Sequence, residues 1–195
     1  TALGVLALSA CSVLPKGAPN FSLHDFGPLE PAGSRTLAFP IRNLEVVPAP
    51  WLASTAMQYR LASTQETRRQ AFLQSRWAAQ PGQLLEVSMK RSVRANVTSV
   101  TVTGCRLRVD LDEFLQVFDS ESASRGVIEA RAALLTPRTD QLLAAKSFSV
   151  SHPAPSADAV GGVVALRQGV QQLNDELIAW LDALALSGVG ARCGN

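Results

Sequence analysis

Apolar and polar residues alternate along three successive segments in the second half of the chain. Residues two apart on a strand point to the same face, so this alternation predicts half-buried β-strands. In "CRLRVDLDEFLQVF" one face is predicted to hold the apolar residues Leu107, Val109, Leu111, Leu115 and Val117. The segments "GVIEARAALLT" and "LLAAKSFSVSH" predict two more strands, and "PRTDQ" between them has the Pro and Asp of a turn. The three strands are expected to form an antiparallel meander.

A helical period replaces this alternation near the end of the chain. Ser156 is predicted to be the N-cap residue, with Asp158 in the first turn. The apolar residues that follow recur at helical spacing, namely Val160, Val163, Val164, Val170, Leu173, Leu177, Trp180, Leu181 and Leu184. We expect this helix to end before the glycine-rich segment "SGVGARCGN".

The first half of the chain gives weaker signals. In "RTLAFPI" the alternation of Leu37, Phe39 and Ile41 predicts a strand, and its internal proline places it near a sheet edge. The segment "PAPWLASTAMQYRL" predicts a turn around Trp51 followed by a short strand. Residues 62–80 are mostly polar, and we interpret them as an extended segment that ends in a loop at Pro81-Gly82.

A second helix is predicted in "GQLLEVSMKRSVRAN", where Leu85, Met89 and Val93 are spaced four residues apart. The predicted order is therefore strand, strand, helix, three strands, helix. This order is typical of a mixed α/β sheet that is covered by helices. A chain of 195 residues with 47% hydrophobic residues can bury one full core, and we assign residues 35–195 to a single domain.

The charge distribution argues against one class of partner. The formal net charge is only +2, and the lysines and arginines are interspersed with acidic residues. A nucleic-acid-binding domain needs a basic patch or stripe, which this sequence does not have. We therefore expect no nucleic-acid partner.

The chain begins with the apolar stretch "LGVLALSACSVLP". Its apolar part is much shorter than the roughly 20 residues of a membrane-spanning helix. A buried strand or helix is one interpretation, although the prolines and the glycine that follow are typical of a linker. The other interpretation is the end of a secretory signal sequence, which assigns residues 1–11 to a truncated signal peptide and residues 12–34 to a tether.

The segment Leu8-Ser9-Ala10-Cys11 resembles the lipobox of bacterial lipoproteins. The resemblance implies that Cys11 is acylated and becomes the N-terminus of the mature protein, whereas the ordinary alternative is a buried cysteine. Ser12 follows the cysteine. In the usual sorting rule of Gram-negative lipoproteins, an aspartate there retains the protein in the inner membrane, so its absence favours the outer membrane.

Two other cysteines, Cys105 and Cys193, lie far apart in the sequence. In an oxidising periplasm such a pair often forms a disulfide, and two isolated buried thiols are the alternative. Their spacing is unlike the clustered ligands of a metal site, so we expect no bound metal.

The sequence contains no recognisable catalytic constellation. Its only histidines are His24 and His152, which we interpret as surface or loop residues, and neither accompanies a nucleophile motif such as G-x-S-x-G. Asp110 and Asp112 could be paired carboxylates, but the arginines on the same strand face favour a solvated ladder of charges. No phosphate-binding loop of the G-x-x-x-x-G-K-[ST] type is present. We expect a protein that is not an enzyme and has no cofactor.

Tryptophan and arginine occur together near two proline-bounded turns, where the residues concerned are Trp51, Tyr59, Arg60, Arg76 and Trp77. These residue types are enriched in binding hot spots, which suggests a protein interface. Alternatively, the tryptophans cover a sheet edge while the arginines pair with nearby acidic residues. The sequence leaves both interpretations open.

The same residues carry a second resemblance. The segments "PWL" at 50–52, "MQYR" at 57–60, "SRWA" at 75–78 and "FLQVFDSESASRGVIEARAALL" at 114–135, in this order after a lipobox, resemble the ABC-type transport auxiliary lipoprotein family, the PqiC-like proteins. The family motifs add Met57 to the candidate interface residues. Only Cys11 matches a position of defined chemistry, as the acylation site.

The resemblance implies a non-enzymatic lipoprotein anchored in the outer membrane and facing the periplasm. It further implies an Mce-type lipid transport system whose Mce-domain protein, ABC permease and ATPase are the partners, and it leaves open self-association into a homo-oligomer. The implied fold is a three-layer α/β sandwich on a mixed, partly antiparallel sheet of about five strands, similar to the anticodon-binding-like fold. A lipid-binding carrier, with an apolar pocket between the terminal helix and the sheet, is the alternative function.

Overall fold

The computed structural model describes residues 20–29, 37–95 and 104–194. In this part of the chain, seven strands form one sheet and two α-helices pack on it, which confirms the mixed α/β class and exceeds the expected strand number. The strands are β1 (Ser22–His24), β2 (Ile41–Pro48), β3 (Ala56–Leu61), β4 (Gln65–Trp77), β5 (Cys105–Phe118), β6 (Ser124–Leu135) and β7 (Leu142–Pro153). The helices are α1 (Pro81–Ala95) and α2 (Ala159–Leu186), and Pro50–Leu52 and Val189–Cys193 form short 3₁₀ helices.

The strand β5 is the centre of the sheet. The strand order is β1-β4-β3-β5-β6-β7, and β2 pairs in parallel with the first half of β5. The second half of β5 pairs in parallel with β3, while β6 runs antiparallel along its other side. The antiparallel pairings of β5 with β6 and of β6 with β7 confirm the predicted meander.

A bulge in β5 changes which side chains reach the core. The register with β6 shifts between Leu111 and Glu113. One extra residue exchanges the two faces of a strand, so Phe114 points to the helices while Leu115 lies beside Glu113 on the outer face. The prediction that Leu115 and Val117 continue the row of Leu107 is therefore wrong.

Helix α1 begins earlier than the sequence suggested. Leu85, Met89 and Val93 are buried in the core, as their spacing predicts. Pro81 is the first helical residue instead of part of a loop, because a proline at this position loses no helical hydrogen bond. The preceding polar segment is extended, as predicted, and forms β4.

Helix α2 has Asp158 as its N-cap residue, and Ser156 is not the cap. The Asp158 carboxylate accepts a hydrogen bond from the Gly161 N–H at 2.7 Å and one from the Ser156 hydroxyl at 2.8 Å. Because the charged form is stabilised first by the backbone donor and then by the hydroxyl, the pKa of Asp158 lies below its ordinary value of 3.8.

The buried side of α2 faces the meander. Four residues of the predicted apolar stripe are fully buried, namely Val170, Leu173, Leu177 and Leu181. Val160 and Val164 are exposed, contrary to the prediction, because the first turns bury a different face against the sheet, formed by Gly161, Gly162, Ala165 and Leu166. At Gly162 the helix comes so close to the sheet that a Cβ atom would lie 2.1 Å from the Gln116 side chain.

Part of the predicted tether belongs to the folded domain. Within residues 20–29, β1 pairs in parallel with the end of β4, and Phe26 is buried against Trp77 and Phe114. The Arg167 guanidinium on α2 donates to the Phe26 and Pro28 carbonyls at 2.9 and 2.7 Å. We call residues Asp25–Leu29 the N-terminal strap.

The segment before β2 is buried without being a strand. Leu37 and Phe39 are buried as the alternation predicted, but β2 begins only at Ile41. The structure also joins Cys105, at the start of β5, to Cys193 in a disulfide, with Cα atoms 4.8 Å apart. Among the described residues, no helix combines the length and the apolar character needed to cross a membrane.

Candidate interaction surface

Trp51 is held in place although its side chain is half exposed. The turn Pro50–Leu52 presents the ring at 49% exposure, and its Nε1 donates to the Asp112 carbonyl at 3.1 Å. The Gln58 amide donates to the Trp51 carbonyl at 2.5 Å, and the Arg69 guanidinium lies 5.1 Å from the ring centroid. A large aromatic side chain that is fixed before a partner arrives loses little entropy on binding.

The bulge of β5 provides the acidic neighbours of Trp51. Asp112 and Glu113 are consecutive, yet both turn to the outer face of the sheet because of the extra residue. Glu113 accepts from Arg60 at 3.2 Å and from Arg69 at 2.5 Å. We define the Trp51 surface as Trp51, Arg60, Arg69, Asp112 and Glu113.

The ladder of charges predicted for this face is confirmed. Arg131 donates to both carboxylate oxygens of Asp112 at 2.7 and 2.8 Å, and this hydrogen bonding lowers the pKa of Asp112. Arg108 donates to a single carboxylate oxygen of Asp110, at 3.1 and 2.8 Å. Both aspartates are therefore engaged in ion pairs, and the lowered pKa of Asp112 makes that group unsuitable as a general acid.

Two of the predicted interface residues belong to the core. Trp77 is 1% exposed and packs edge-on against Phe26 and Phe114, with centroid distances of 5.7 and 5.5 Å. Met57 is also buried. Neither side chain can contact a partner on the surface, so the interface prediction is wrong for both.

Two further predicted residues lie outside the Trp51 surface. Tyr59 packs against Phe72 and Phe118, and its hydroxyl donates to the Gln70 side chain at 3.0 Å. The Arg76 guanidinium donates to the carbonyls of Phe72 and Ser75, where the register between β3 and β4 shifts. Arg76 therefore stabilises the backbone of a bulge instead of pairing with an acidic residue.

Three members of the Trp51 surface were not predicted. Arg69 belongs to the polar segment whose alternation is interrupted by the shifts in β4, so its direction could not be inferred. Asp112 and Glu113 were assigned to opposite faces of a regular strand. A bulge depends on the neighbouring strand, and "DLDEF" gives no local signal for one.

An apolar cavity lies on the other side of the molecule. Its volume is about 280 Å³, and it lies between the N-terminal strap and α1. Phe26, Leu29, Leu84 and Val87 provide its apolar lining, and Arg91 contributes a cation. This position differs from the site between the terminal helix and the sheet that a carrier was expected to use.

Both histidines lie in strands and are half-buried, so the interpretation as loop residues is wrong for both. His24 is part of β1, and His152 of β7 contacts the Gln172 side chain at 2.7 Å. Across the described residues, no group of three or more His, Cys, Asp or Glu side chains could hold a metal ion. Cys11 lies outside the described residues.

Comparison with known proteins gives both a family and a fold. The family model of the ABC-type transport auxiliary lipoprotein component matches residues 30–178. A solved structure from Xanthomonas campestris, of the family model DUF330, has a TM-score of 0.69 at 21% identity and covers 87% of this chain and 96% of its own. A second, described as an uncharacterized protein, has a TM-score of 0.59 at 16% identity and covers 81% of this chain and 96% of its own. No curated protein matches the sequence.

Proposed function

Because the chain belongs to the family of ABC-type transport auxiliary lipoprotein components, we propose that it is the adaptor of an Mce-type lipid transport system. In this proposal Cys11 carries the acyl anchor, and Ser12 directs the protein to the outer membrane. The domain faces the periplasm and docks the Mce-domain protein, which in turn engages the ABC permease and ATPase.

The Trp51 surface is the observation that supports docking most directly. Interface cores favour Trp and Arg, and hot spots are rigid aromatic anchors surrounded by polar contacts. Trp51 meets both conditions, since its ring is exposed while its indole N–H and its carbonyl are both hydrogen-bonded. The ion pairs of Glu113 keep the arginines beside it in fixed positions.

The electrostatics of the outer face support a role without catalysis. General acid–base chemistry needs a group whose pKa lies near the working pH. The pKa of Asp112 shifts away from this range, to below its ordinary value, because the hydrogen bonds from Arg131 favour the charged carboxylate. Asp112 therefore serves as the ion-pair partner of Arg131 on this face and is unsuited to donate a proton.

The docking proposal is tested with purified protein and the Mce-domain protein of the same system. We expect Trp51→Ala to raise the dissociation constant by about thirtyfold, since truncation of a hot-spot residue costs about 2 kcal/mol. Leu186→Ala, at an exposed apolar residue at the end of α2, is the matched control and should bind normally. Equal affinity of all three proteins would remove the Trp51 surface from the proposal.

The anchoring proposal is tested separately. The precursor with a complete signal sequence is expressed in a Gram-negative host, and its intact mass is measured after membrane fractionation. We expect a lipid-sized increment and outer-membrane association, both lost in Cys11→Ala. An unmodified soluble chain for the wild type would contradict the anchor.

The carrier function remains a second candidate because of the cavity between the N-terminal strap and α1. An apolar lining beside Arg91 has the chemistry to hold an acyl chain with an anionic headgroup. Native mass spectrometry of protein purified from cells would detect a co-purified phospholipid, which Val87→Trp should displace by filling the cavity. An apo mass for the wild type would count against this function.

A further inference from the structure

Three large apolar side chains are exposed along one edge of the sheet. Phe21 is 41% exposed, Leu23 is 68% exposed and Leu73 is 85% exposed. β1 pairs with the last residues of β4, in the register Ser22 with Ser75. Leu73 lies only two residues before Ser75, so all three side chains belong to the same short stretch of the edge.

Arg76 shares the face of this edge with two of these residues. Leu23 is in register with Arg76, and the Arg76 guanidinium lies 4.6 Å from the centroid of the Phe21 ring. A cation beside exposed apolar groups is the combination with which a protein surface meets the headgroup region of a bilayer.

The same strand also keeps positive charge that is not neutralised by a carboxylate. Arg69 is paired with Glu113, but Arg68 donates to the neutral Gln65 side chain and Arg76 donates to backbone carbonyls. Within the described part of the chain, neither Arg68 nor Arg76 forms an ion pair. Their charges are available to anionic lipid headgroups.

The point at which the segment from Cys11 joins the folded domain indicates what this edge contacts. Ten residues lead from Cys11 to Phe21, and they span at most about 36 Å when fully extended. Because Phe21 directly precedes β1, the anchored chain reaches the fold at this edge. The edge therefore lies within about 36 Å of the membrane in which the acyl chains of Cys11 are inserted.

Strand addition by a partner protein is a poor alternative for this edge. β4 has two register shifts against β3, between the partners of Ala56 and Gln58 and of Tyr59 and Leu61. Bulges twist an edge strand and interrupt its row of backbone donors and acceptors, which makes it a poor template for another strand.

We propose that the edge formed by Phe21, Leu23 and Leu73 docks onto the surface of the membrane that holds Cys11. The apolar side chains enter the headgroup region, and Arg68 and Arg76 approach the lipid phosphates. This inference rests on the proposed acylation of Cys11. Its consequence is a defined orientation of the domain on the membrane.

The test measures the membrane contact of single positions in the acylated full-length protein. Leu23→Cys and Leu73→Cys each introduce the only free thiol, since Cys11 is acylated and Cys105 is bridged to Cys193. Leu186→Cys, at a position that is 91% exposed, is the matched control. Each thiol carries an environment-sensitive fluorophore, in vesicles of phosphatidylethanolamine and phosphatidylglycerol that contain headgroup-spin-labelled lipid.

We expect the spin-labelled lipid to cause a loss of emission at positions 23 and 73 but not at 186. Replacing phosphatidylglycerol by phosphatidylcholine should reduce this loss, because the arginines then lack an anionic partner. If neither the spin-labelled lipid nor aqueous iodide quenches the emission, protein covers the edge. This outcome overturns the inference.

Intact mass separates a failure of this inference from a failure of the proposed function. If Cys11 is acylated and the labels at 23 and 73 stay unquenched by lipid, the membrane-facing edge is wrong while the anchored adaptor stands. If the mass shows no acylation, the anchor fails and the inference fails with it.

Discussion

The meander of β5, β6 and β7 and the hairpin of β3 and β4 belong to one sheet but are built differently. In the meander, β6 and β7 pair along nearly their whole length, and α2 covers one face. In the hairpin, two register shifts occur within the short strand β3, and polar side chains hold the bent partner strand. The hairpin also carries Arg60 and Arg69 of the Trp51 surface.

This difference suggests a division of roles within the sheet. Regular pairing under a buried helix gives cooperative stability, whereas irregular segments place side chains in positions that a regular strand cannot offer. The bulge in β5 lies where the two regions meet, and it places Asp112 and Glu113 beside Trp51. The comparison predicts that stability is lost mainly in the meander and that binding is lost mainly near the hairpin.

The largest loss of stability is expected when the disulfide that joins the start of β5 to the segment after α2 is removed. Cys105 and Cys193 are separated by 88 residues in the sequence. Removing a cross-link that closes so long a loop costs about 4.6 kcal/mol in the chain-entropy model. Denaturant unfolding of Cys105→Ser/Cys193→Ser against oxidised wild type measures this loss. A reductant should destabilise only the wild type, and equal midpoints for both proteins would contradict the prediction.

The next largest loss is expected from the helix that covers the meander. Leu173 is fully buried in the core, so Leu173→Ala should lower the free energy of unfolding by about 3 kcal/mol. The exposed Leu186 on the same helix is the control, and Leu186→Ala should be nearly neutral. Similar unfolding midpoints for the two variants would mean that α2 does not stabilise the sheet.

A smaller loss is expected in the hairpin. Arg76→Ala leaves the Phe72 and Ser75 carbonyls without their donor and should cost about 1–2 kcal/mol. Hydrogen exchange should become faster in Gln65–Trp77 and stay unchanged in Ser124–Leu135. Arg68→Ala, which removes a single exposed contact on the same strand, is the control. Faster exchange in both strands would show that the two regions unfold as one unit.

The N-cap of α2 offers a test of the meander region, because its contribution to the free energy of unfolding depends on pH. Asp158→Ala should cost about 1 kcal/mol at neutral pH. Because the pKa of Asp158 is lowered in the folded state, its contribution is present above the ordinary value of 3.8 and disappears as the pH falls through the folded pKa. The difference between the two proteins, measured by urea unfolding from pH 7 to pH 3, should therefore shrink at acidic pH. Asp158→Asn keeps a capping side chain and should lose little at neutral pH.

The smallest effect on stability is expected at Trp51. Its ring is half exposed, so Trp51→Ala should change the free energy of unfolding by no more than about 1 kcal/mol, mostly from the lost bond to Asp112. Thermal unfolding measures this change, and the same variant should show the strongest loss of partner binding. A severe loss of stability would mean that Trp51 serves the fold and would weaken its assignment to an interface.

Periodic patterns in the sequence were sufficient to predict the regular helices and strands. Both helices and the meander follow from local spacing, because helix and strand periods are properties of consecutive residues. Leu85, Met89 and Leu173 are buried where these periods placed them. The lipobox-like segment at Cys11 is likewise a local pattern, and its acylation stays a prediction.

The faces of the irregular strands were decided only by the tertiary structure. Leu115 was placed on the same strand face as Leu107, and Trp77 was named as a candidate interface residue; the structure contradicts both placements. The side on which a residue lies after a bulge depends on the register with neighbouring strands, and these strands are distant in the sequence. The Trp51 surface has the same origin, since it joins residues from a turn, two hairpin strands and the bulge of β5. Local patterns therefore predict the elements, while long-range pairing decides which side chains meet.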